Sequence, residues 1–310
     1  MPITTSVPPQ QRKRMIAVGG ICNTTIYRVD HVPALPAKLL PTEMRQLVDG
    51  MAASAACAFV KLGGDAEIWA LVGDDDQGVT MRSELAADGL DTTHLHAVTG
   101  AKSSQAAVLV EKKGERLVVA FHDHTIDRSA LWLPLPNLAH ADLLHCDLRW
   151  VEGAEAALKA AQYMGIPTMV DGDVAPLDVL QRLVPLASYA VFSDAGLLAY
   201  ADCADVPSAL VKIGAAHRGH VGASCGELGY FWFDKGTIRH VKAPVVTVVD
   251  TLSAGDVFHG AFALALLEGK SIEDCARFAC VAASLKCTRF GGRLGCPARA
   301  EVELMLSESY

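Results

Sequence analysis

The sequence predicts a single α/β fold in which helices cover both faces of a central, mostly parallel β-sheet. Short apolar runs bounded by turn residues alternate with longer segments of helical spacing, the pattern of parallel strands joined by crossover helices. The 310 residues are 51% hydrophobic and 20% charged, a composition that can bury one large core. No internal repeat, low-complexity tract or linker divides the chain.

The predicted elements follow this alternation along the chain. Strands are expected at 15–18, 67–72, 143–146, 168–170, 189–192 and 220–223. Helices are expected at 52–62, 78–88, 152–164, 175–184, 207–215 and 255–268. A helix between successive strands is what a parallel pairing requires.

Two regions break the alternation. Residues 22–48 and residues 104–121 are predicted to be extended, and the second region contains a hairpin around the polar turn KKGE. We expect these regions to form a small β-sheet that projects from the α/β body as a lid. The exposed face of such a lid can also pair two copies of the chain, so a homodimer through the lid is expected as a candidate assembly.

The amino terminus and the net charge limit the partners. Residues 1–14 contain basic residues and prolines without the apolar stretch of a secretory signal, which predicts a flexible arm before one domain at 15–310. A formal net charge of -8 argues against nucleic acid. No uninterrupted apolar run reaches the roughly 18 residues of a membrane span. The expected compartment is the cytoplasm.

Other patterns receive structural interpretations. The nine cysteines contain no C-x-x-C pair and are expected to be reduced thiols. The His122-Asp123-His124 run lacks a third metal ligand and is expected to be a turn at the lid edge. Residues 74–76 lack the spacing of a calcium loop and are expected to be a structural turn. His259 is interpreted as a hydrogen-bonded helix histidine rather than a catalytic one.

The most informative segment is 245–269, VVTVVDTLSAGDVFHGAFALALLEG, where a β-branched run ends in small residues and opens into an apolar helix. Ser253, Ala254 and Gly255 let the backbone approach a phosphate, and the free amides and dipole of a helix start favour its charge. Asp256 beside that anion suits a general base that takes a hydroxyl proton. Spacing alone leaves equally open a favourable first-turn acid on a buried helix.

The run DTLSAGDVFHGAF in this segment resembles the D-T-x-G-A-G-D block of PfkB-family carbohydrate kinases. The resemblance continues through Gly19-Gly20, LVGDDDQG, AKSSQ, KGER and LKCTRFGGRLGCP at 285–297. It implies a ribokinase-like fold and ATP-dependent phosphorylation of a sugar hydroxyl. It also implies that Asp256 is the catalytic base and that Ser253, Ala254 and Gly255 form the anion hole, although Ser253 stands where the family usually has glycine.

The same resemblance implies sites for ATP and Mg²⁺. The run VGASCGELG at 221–229 is similar to the family's V-T-x-G-x-x-G element. Mg²⁺ is expected with the nucleotide because phosphoryl transfer needs charge neutralisation. The family's N-x-x-E element corresponds to residues 193–196, SDAG, so Asp173 or Asp194 is expected to hold the metal through water. Whether a monovalent cation binds near Asp250 stays open. The implied nucleotide contacts are Ser224, Gly226, Gly229, Thr251, Ala283, Cys287 and Gly291.

The acceptor side departs from the family pattern. Thr24 holds a usual aspartate position, and Asp49-Gly50 replaces a glycine pair. We hypothesise that Asp49 supplies the missing carboxylate for sugar hydroxyls, beside Asn23 and Gly50. Two cationic residues, Lys38 and Arg149, indicate an anionic substituent on the sugar. The runs KSSQ, KGER, DLRW, DGD and VFHGA resemble the bacterial sulfofructose kinase branch, which implies a 6-deoxy-6-sulfofructose-like acceptor.

Several functional alternatives stay open. The acceptor can instead be a neutral ketohexose, another keto acid sugar or a nucleoside, the last making the chain a nucleoside kinase. The departures at Thr24, Asp49, Ser253 and Gly196 also fit a catalytically silent sensor that binds sugar or nucleotide without turnover. Retention of Asp256 and its neighbouring anion hole favours an enzyme, since base and anion hole carry most of phosphoryl transfer.

Overall fold

The computed structural model describes residues 12–112 and 115–310. Residues 1–11 of the predicted arm and residues 113–114 of the KKGE turn lie outside the described residues. The strands are β1 (Arg14–Val18), β2 (Cys22–Val29), β3 (Glu43–Asp49), β4 (Asp65–Gly73), β5 (Leu95–Val98), β6 (Gln105–Glu111), β7 (Arg116–Phe121), β8 (Leu143–Cys146), β9 (Thr168–Gly172), β10 (Tyr189–Ser193), β11 (His220–Ser224), β12 (Tyr230–Asp234) and β13 (Thr237–Val241). The α-helices are α1 (Met51–Lys61), α2 (Asp76–Ala87), α3 (Val151–Met164), α4 (Leu177–Leu183), α5 (Asp194–Ala201), α6 (Val206–Ala216), α7 (Ala254–Leu267), α8 (Ile272–Cys287) and α9 (Arg299–Ser309).

The larger sheet has nine strands in the order β13-β12-β11-β10-β9-β8-β1-β4-β5. Every neighbouring pair from β11 to β5 is parallel, and β12 and β13 add an antiparallel hairpin at one edge. One apolar core joins the sheet to α1, α7 and α8, and a second joins the opposite face to α3, α4, α5 and α6. The predicted α/β class with helices on both faces is therefore confirmed.

The smaller sheet has four strands in the order β3-β2-β6-β7. Only β2 and β6 run parallel, and the other pairs are antiparallel. The apolar cluster of this sheet consists of Ile26, Leu47, Val108 and Val110, which pack against Leu252 and Phe290 of the body. The smaller sheet therefore packs on the segment just before α7 and on the segment just after α8.

Each predicted strand and helix corresponds to an observed one, and the differences have physical reasons. Arg14, placed in the arm, instead begins β1, because it pairs with Asp65 of β4 and its guanidinium binds Glu67 at 2.8 Å. Residues 30–42, inside the predicted extended region, contain no strand and connect β2 to β3. The prediction also omitted β5, β12, β13, α5, α8 and α9. Among the described residues no helix is long and apolar enough to cross a bilayer.

Candidate active site

Asp147 organises the edge where the parallel strands β1, β8 and β9 end. It is fully buried, and its carboxylate accepts the backbone amides of Gly20 at 2.7 Å, Ala52 at 2.9 Å and Arg149 at 2.8 Å. Burial raises the pKa of Asp147, while these hydrogen bonds and the Arg149 charge oppose the rise. A side chain on Gly19 would meet this carboxylate at 2.2 Å, so glycine is required there. Asp147 therefore fixes three chain segments around one point.

The predicted anion site is a loop, residues 250–255, that leads into α7; we call it the anion loop. Ser253 precedes α7 in the left-handed conformation, with φ 60° and ψ 15°. The Ala254 amide donates to Thr251 O at 3.2 Å. One of the three amides that were expected to bind phosphate therefore already has a hydrogen-bond partner. The next two amides, of Gly255 and Asp256, have no intrahelical partner because they lie in the first turn. Space beyond Gly255 is open, since nothing lies within 4 Å of a side-chain position there.

Asp256 lies half-buried in the first turn of α7. Burial raises its pKa well above the ordinary aspartate value, and the nearby carboxylates of Asp49, Asp171, Asp147 and Asp173 raise it further. We call these five aspartates the carboxylate group: Asp256 lies in the first turn of α7, directly after the anion loop, and the other four are near enough to raise its pKa. A dense set of carboxylates favours a divalent cation with oxygen ligands.

The two unusual residues Asp49 and Ser253 contact each other. The Ser253 hydroxyl donates to the Asp49 carboxylate at 3.0 Å, and the Ser54 hydroxyl of α1 donates to the same oxygen. Asp49 is buried at the end of β3, so its carboxylate is fixed between the anion loop and α1. Gly50 follows with φ 114°, and a side chain there would meet Gly20 O at 2.5 Å. The two departures from the family pattern are therefore one connected feature.

The residues predicted for the nucleotide fall into two groups. In the first, the amides of Val249 and Asp250 donate to Cys287 O at 2.8 and 3.2 Å, and Gly291 donates to the Asp250 carboxylate at 3.0 Å. Ala283 lies one turn before Cys287 on α8, and Thr251 follows Asp250. This group therefore joins the anion loop to the end of α8.

The second group lies at the carboxyl end of β11. Ser224 pairs with Ser193 of β10 and donates its hydroxyl to Phe192 O at 3.3 Å. A tight turn follows through Gly226, with φ 53°, to Gly229, with φ 90°. A side chain at Gly229 would meet Val241 O at 2.1 Å, so the turn requires glycine.

The two candidate metal residues differ in position. The Asp173 carboxylate accepts from Ser193 at 3.1 Å and from Arg149 at 3.1 Å, and it belongs to the carboxylate group. Asp194 is exposed at the start of α5. A side chain at Gly196 would meet Gly172 O at 2.0 Å, which explains why no glutamate occupies that position. Of the two, only Asp173 is among the carboxylates that raise the pKa of Asp256, which favours Asp173 over Asp194 as the candidate metal residue.

Positive charge gathers around Arg149 rather than around Lys38. Arg128 donates to Arg149 O at 2.8 Å. Burial lowers the pKa of His122, and the charges of Arg149, His124 and Arg128 lower it further, so all four groups lie near one another. Lys38 is exposed in the 30–42 connection. Sequence reasoning missed Arg128 and treated His122 only as part of a turn at the lid edge, because the charges at 122–128 follow no regular spacing.

On the remaining acceptor side, Asn23 is half-buried in β2 and its side-chain amide donates to Gln77 of α2. Thr24, which replaces the usual aspartate, is buried with 2% of its surface exposed. A side chain so enclosed offers little to a ligand. The structure therefore leaves Asp49 as the carboxylate at this end of the smaller sheet.

The helix histidine His259 belongs to a buried group whose other members, Asp171 and His145, sequence reasoning did not connect with it. His259 of α7 lies 3.2 Å from the Asp171 carboxylate of β9, and His145 of β8 lies beside them. Their ligand-type atoms all lie within 4.8 Å of one another, close enough for a metal ion to be considered. Burial, and then the His259 charge, lowers the pKa of His145 to about 3, so His145 is neutral. His259 thus holds Asp171 beside Asp256, as expected of a hydrogen-bonded helix histidine.

The structural interpretations of the minor motifs agree with the geometry. Asp75 caps α2 by accepting from Gly78 at 2.9 Å, and Asp123 accepts two bonds from Thr125 within a turn. All nine cysteines are free. Burial raises the pKa of the Cys225 thiol to about 12, which leaves it without thiolate character.

A carboxylate next to free amides at a helix start is the arrangement of an enzyme that transfers a phosphoryl group to a hydroxyl. The model of the family described as pfkB family carbohydrate kinase matches residues 13–299. The chain belongs to the pfkB family of carbohydrate kinases. The ribokinase of Haemophilus influenzae is 28% identical over 304 residues, 94% of this chain and 97% of that protein. The ribokinase of Bacillus subtilis is 29% identical over 298 residues, 95% of this chain and 100% of that protein.

Solved structures show the same fold. A crystal structure from Agrobacterium tumefaciens, of a protein described as a candidate ribokinase, has a TM-score of 0.93 and 36% identity over 96% of this chain and 98% of that one. Arabidopsis thaliana ribokinase, solved with ribose and ATP, has a TM-score of 0.82 and 21% identity over 96% and 99%. The expected ribokinase-like fold is confirmed, and the resemblance to the sulfofructose kinase branch stays a prediction.

Proposed function

We propose that this carbohydrate kinase transfers the γ-phosphoryl group of ATP to a sugar hydroxyl, with Asp256 as general base. The observation that carries the proposal is the position of Asp256 beside the free amides of the anion loop. A hydroxyl placed between them can give its proton to Asp256 while the amides stabilise the charge of the transferred group. Named ribokinases among the relatives, one solved with ribose and ATP, support donor and acceptor class.

Mg²⁺ is proposed as the cofactor, because the carboxylate group offers the hard oxygen ligands that this ion prefers. Asp173 would hold it, with Asp194 at the outer side and waters between. When bound, the ion neutralises phosphate charge. A ribokinase-like protein from E. coli, solved in complex with ATP and Mg²⁺, shares this fold with a TM-score of 0.83. The nucleotide would lie across the Asp250–Cys287–Gly291 group, with its γ-phosphate at the free amides of the anion loop and the turn at 224–229 beside the other phosphates and the ribose.

The acceptor is proposed to carry an anionic substituent, as 6-deoxy-6-sulfofructose does. The support is the pair of guanidinium groups of Arg149 and Arg128, which lie close together because Arg128 donates to Arg149 O. Lys38 could join them by movement of the 30–42 connection. Asp49, with Asn23 and Gly50 beside it, would accept sugar hydroxyls. An Asp49→Ala variant with an unchanged KM for the sugar would contradict this role.

The smaller sheet is proposed to act as a lid and to pair two copies of the chain. Its edge strand β7 exposes Leu117, Val118, Val119 and Phe121 by 44, 49, 63 and 46%, an apolar surface of the kind that interfaces cover. Arg116 at the start of β7 already reaches Thr251 of the anion loop at 2.8 Å. The lid would therefore close the site that the body builds.

The test is ADP release with ATP and Mg²⁺ across sulfofructose, neutral ketoses, keto acid sugars, ribose and nucleosides, comparing the wild type with Asp256→Asn. Asp178→Asn, an exposed acid on α4, is the matched control. Asp256→Asn is expected to lower kcat at least 10³-fold, and the control less than 2-fold. Because the pKa of Asp256 is raised and only its ionised form is a base, wild-type kcat/KM is expected to rise with pH through a value above the ordinary aspartate range.

Each outcome has a meaning. If the enzyme prefers anionic sugars and this preference weakens in Arg149→Ala, the proposed acceptor is supported. If the enzyme prefers nucleosides, it is a nucleoside kinase instead. Binding of ATP without turnover of any acceptor would contradict the kinase and favour the silent sensor. Full activity of Asp256→Asn would remove the proposed base.

A further inference from the structure

A fully buried lysine lies beneath the anion loop. Lys286, near the end of α8, has no exposed surface, and its ammonium donates to the Asp250 carbonyl at 2.7 Å. The Asp250 carboxylate, also without exposed surface, lies 3.4 Å from the same ammonium. Lysine is almost never enclosed in this way unless a specific charge partner compensates the loss of water. The placement therefore indicates a defined role for the charge.

The partner of Lys286 is the residue that holds the anion loop in place. The Asp250 carboxylate accepts the amides of Leu252 at 2.8 Å, Gly291 at 3.0 Å and Gly292 at 2.8 Å. These bonds join the loop before α7 to the loop after α8. Loss of the positive charge would leave a buried carboxylate without its counter-charge, at the hinge between both loops.

The position favours a cation for two further reasons. The amides of Val249 and Asp250 donate to Cys287 O, so the end of α8 and its carbonyls face this point. The carboxyl end of a helix carries partial negative charge, which stabilises a cation. An ammonium group has the single charge of potassium and a similar size. The buried space beside Asp250 is therefore a monovalent cation position that the chain fills with its own side chain.

We propose that Lys286 is the built-in monovalent cation of the anion loop, so that the enzyme works without added potassium or ammonium ions. This inference rests on the proposed phosphoryl transfer. Lys286 touches neither substrate nor the reacting atoms and is a positioning residue: its charge holds Asp250, Asp250 holds the loop, and the loop presents the Gly255 and Asp256 amides. The monovalent cation considered near Asp250 would then be the ammonium group of Lys286.

The experiment compares wild type, Lys286→Ala, Lys286→Met and the exposed-lysine control Lys242→Ala. Turnover is measured in choline chloride at constant ionic strength, with LiCl, KCl or NH₄Cl replacing choline. Wild type and control are expected to change less than 2-fold between salts. Lys286→Ala is expected to lose on the order of 100-fold in kcat in choline or lithium, a loss typical of a misplaced anion-hole donor. It is expected to regain at least 10-fold in KCl or NH₄Cl, which fit the vacated space.

Lys286→Met keeps the volume but removes the charge, so it should lose kcat without recovery by any salt. Several-fold activation of the wild type by potassium would overturn the proposal. The proposal would also be overturned if Lys286→Met turned over at the wild-type rate, or if the loss of kcat in Lys286→Ala were equal in all four salts. Folding is followed by circular dichroism and Tm, and a Lys286→Ala protein that folds only with KCl or NH₄Cl counts as recovery.

A second measurement separates this inference from the proposed function. Binding of ATP is measured by calorimetry in the same salts. If the wild type binds ATP but turns over no sugar, the kinase proposal fails. In that case, ATP binding that depends on potassium in Lys286→Ala but not in the wild type still supports the built-in cation. Salt-independent ATP binding by Lys286→Ala, with affinity equal to wild type, would count against it.

Discussion

The two sheets of this protein are stabilised very differently. The nine-stranded sheet is buried between helices on both faces, and the carboxylates at its strand ends are fixed by backbone amides and buried side chains. The four-stranded sheet buries only a small apolar cluster, and its edge strand β7 is exposed along its whole length. The comparison fits the proposal that the body carries the chemistry and that the smaller sheet, less buried than the body, acts as a lid.

Two contacts join these unequal regions at the site. Arg116 of β7 reaches Thr251, and Asp49 at the end of β3 accepts from Ser253. Both contacts end on the anion loop, so movement of the smaller sheet is expected to alter the loop itself. Changes in the body should therefore affect stability and activity together, whereas changes at the two contacts should affect activity more than stability.

The largest effect is expected from Asp147→Ala in the body. The change leaves three buried amides without their acceptor, which should lower the free energy of unfolding by about 3–5 kcal/mol and abolish turnover. Urea unfolding followed by circular dichroism measures it. Asp142→Ala, an exposed acid that accepts a single backbone bond from Arg14, is the control and should cost about 1 kcal/mol. Equal losses in the two variants would show that the body does not depend on Asp147.

An intermediate effect is expected from Arg116→Ala on the smaller sheet. Removing the guanidinium takes a positive charge from the anion loop, so kcat should fall about 10–100-fold. The free energy of unfolding should change by less than about 0.5 kcal/mol because the side chain is exposed. Lys112→Ala on the same hairpin, where the lysine pairs with exposed Asp30, should leave kcat unchanged. Similar kcat values for the two variants would mean that the smaller sheet does not act through Arg116.

The smallest effect is expected at the contact between Ser253 and Asp49. A double-mutant cycle with Ser253→Ala and Asp49→Asn should give a coupling free energy of about 1 kcal/mol. Ser253→Gly also loses the hydrogen bond but relieves the left-handed conformation, so it should be less destabilising than Ser253→Ala. Thermal unfolding of the variants supplies the values. Strict additivity in the cycle would show that the two departures from the family pattern are independent.

Sequence reasoning succeeded where the signal was local. The strand ends, the start of α7 and the glycine turns follow from short patterns, because each depends on residues adjacent in the chain. The α8 helix was not predicted, although its segment supplies Lys286. The hairpin of β12 and β13 was missed because a parallel alternation does not anticipate an antiparallel edge.

The long-range contacts of the site could not be predicted from sequence. Asp147 joins Gly20, Ala52 and Arg149, and Lys286 meets Asp250 across 36 residues of sequence separation. Such partners are set by packing of distant segments, and no spacing in the chain identifies them. The contact of Ser253 with Asp49 spans 204 residues, so two apparent losses could be recognised as a pair only in the folded chain.

The raised pKa of Asp256 makes its contributions to stability and to the proposed activity change in opposite directions with pH. Because the folded-state pKa of Asp256 is raised, the folded chain holds a proton more tightly than the unfolded chain does. This group's stabilising contribution is fully present below the ordinary aspartate pKa and is lost as the pH rises through the raised value. The proton that stabilises the fold is the same one that disables the base. With respect to Asp256, the resting protein is therefore most durable under conditions in which it cannot work.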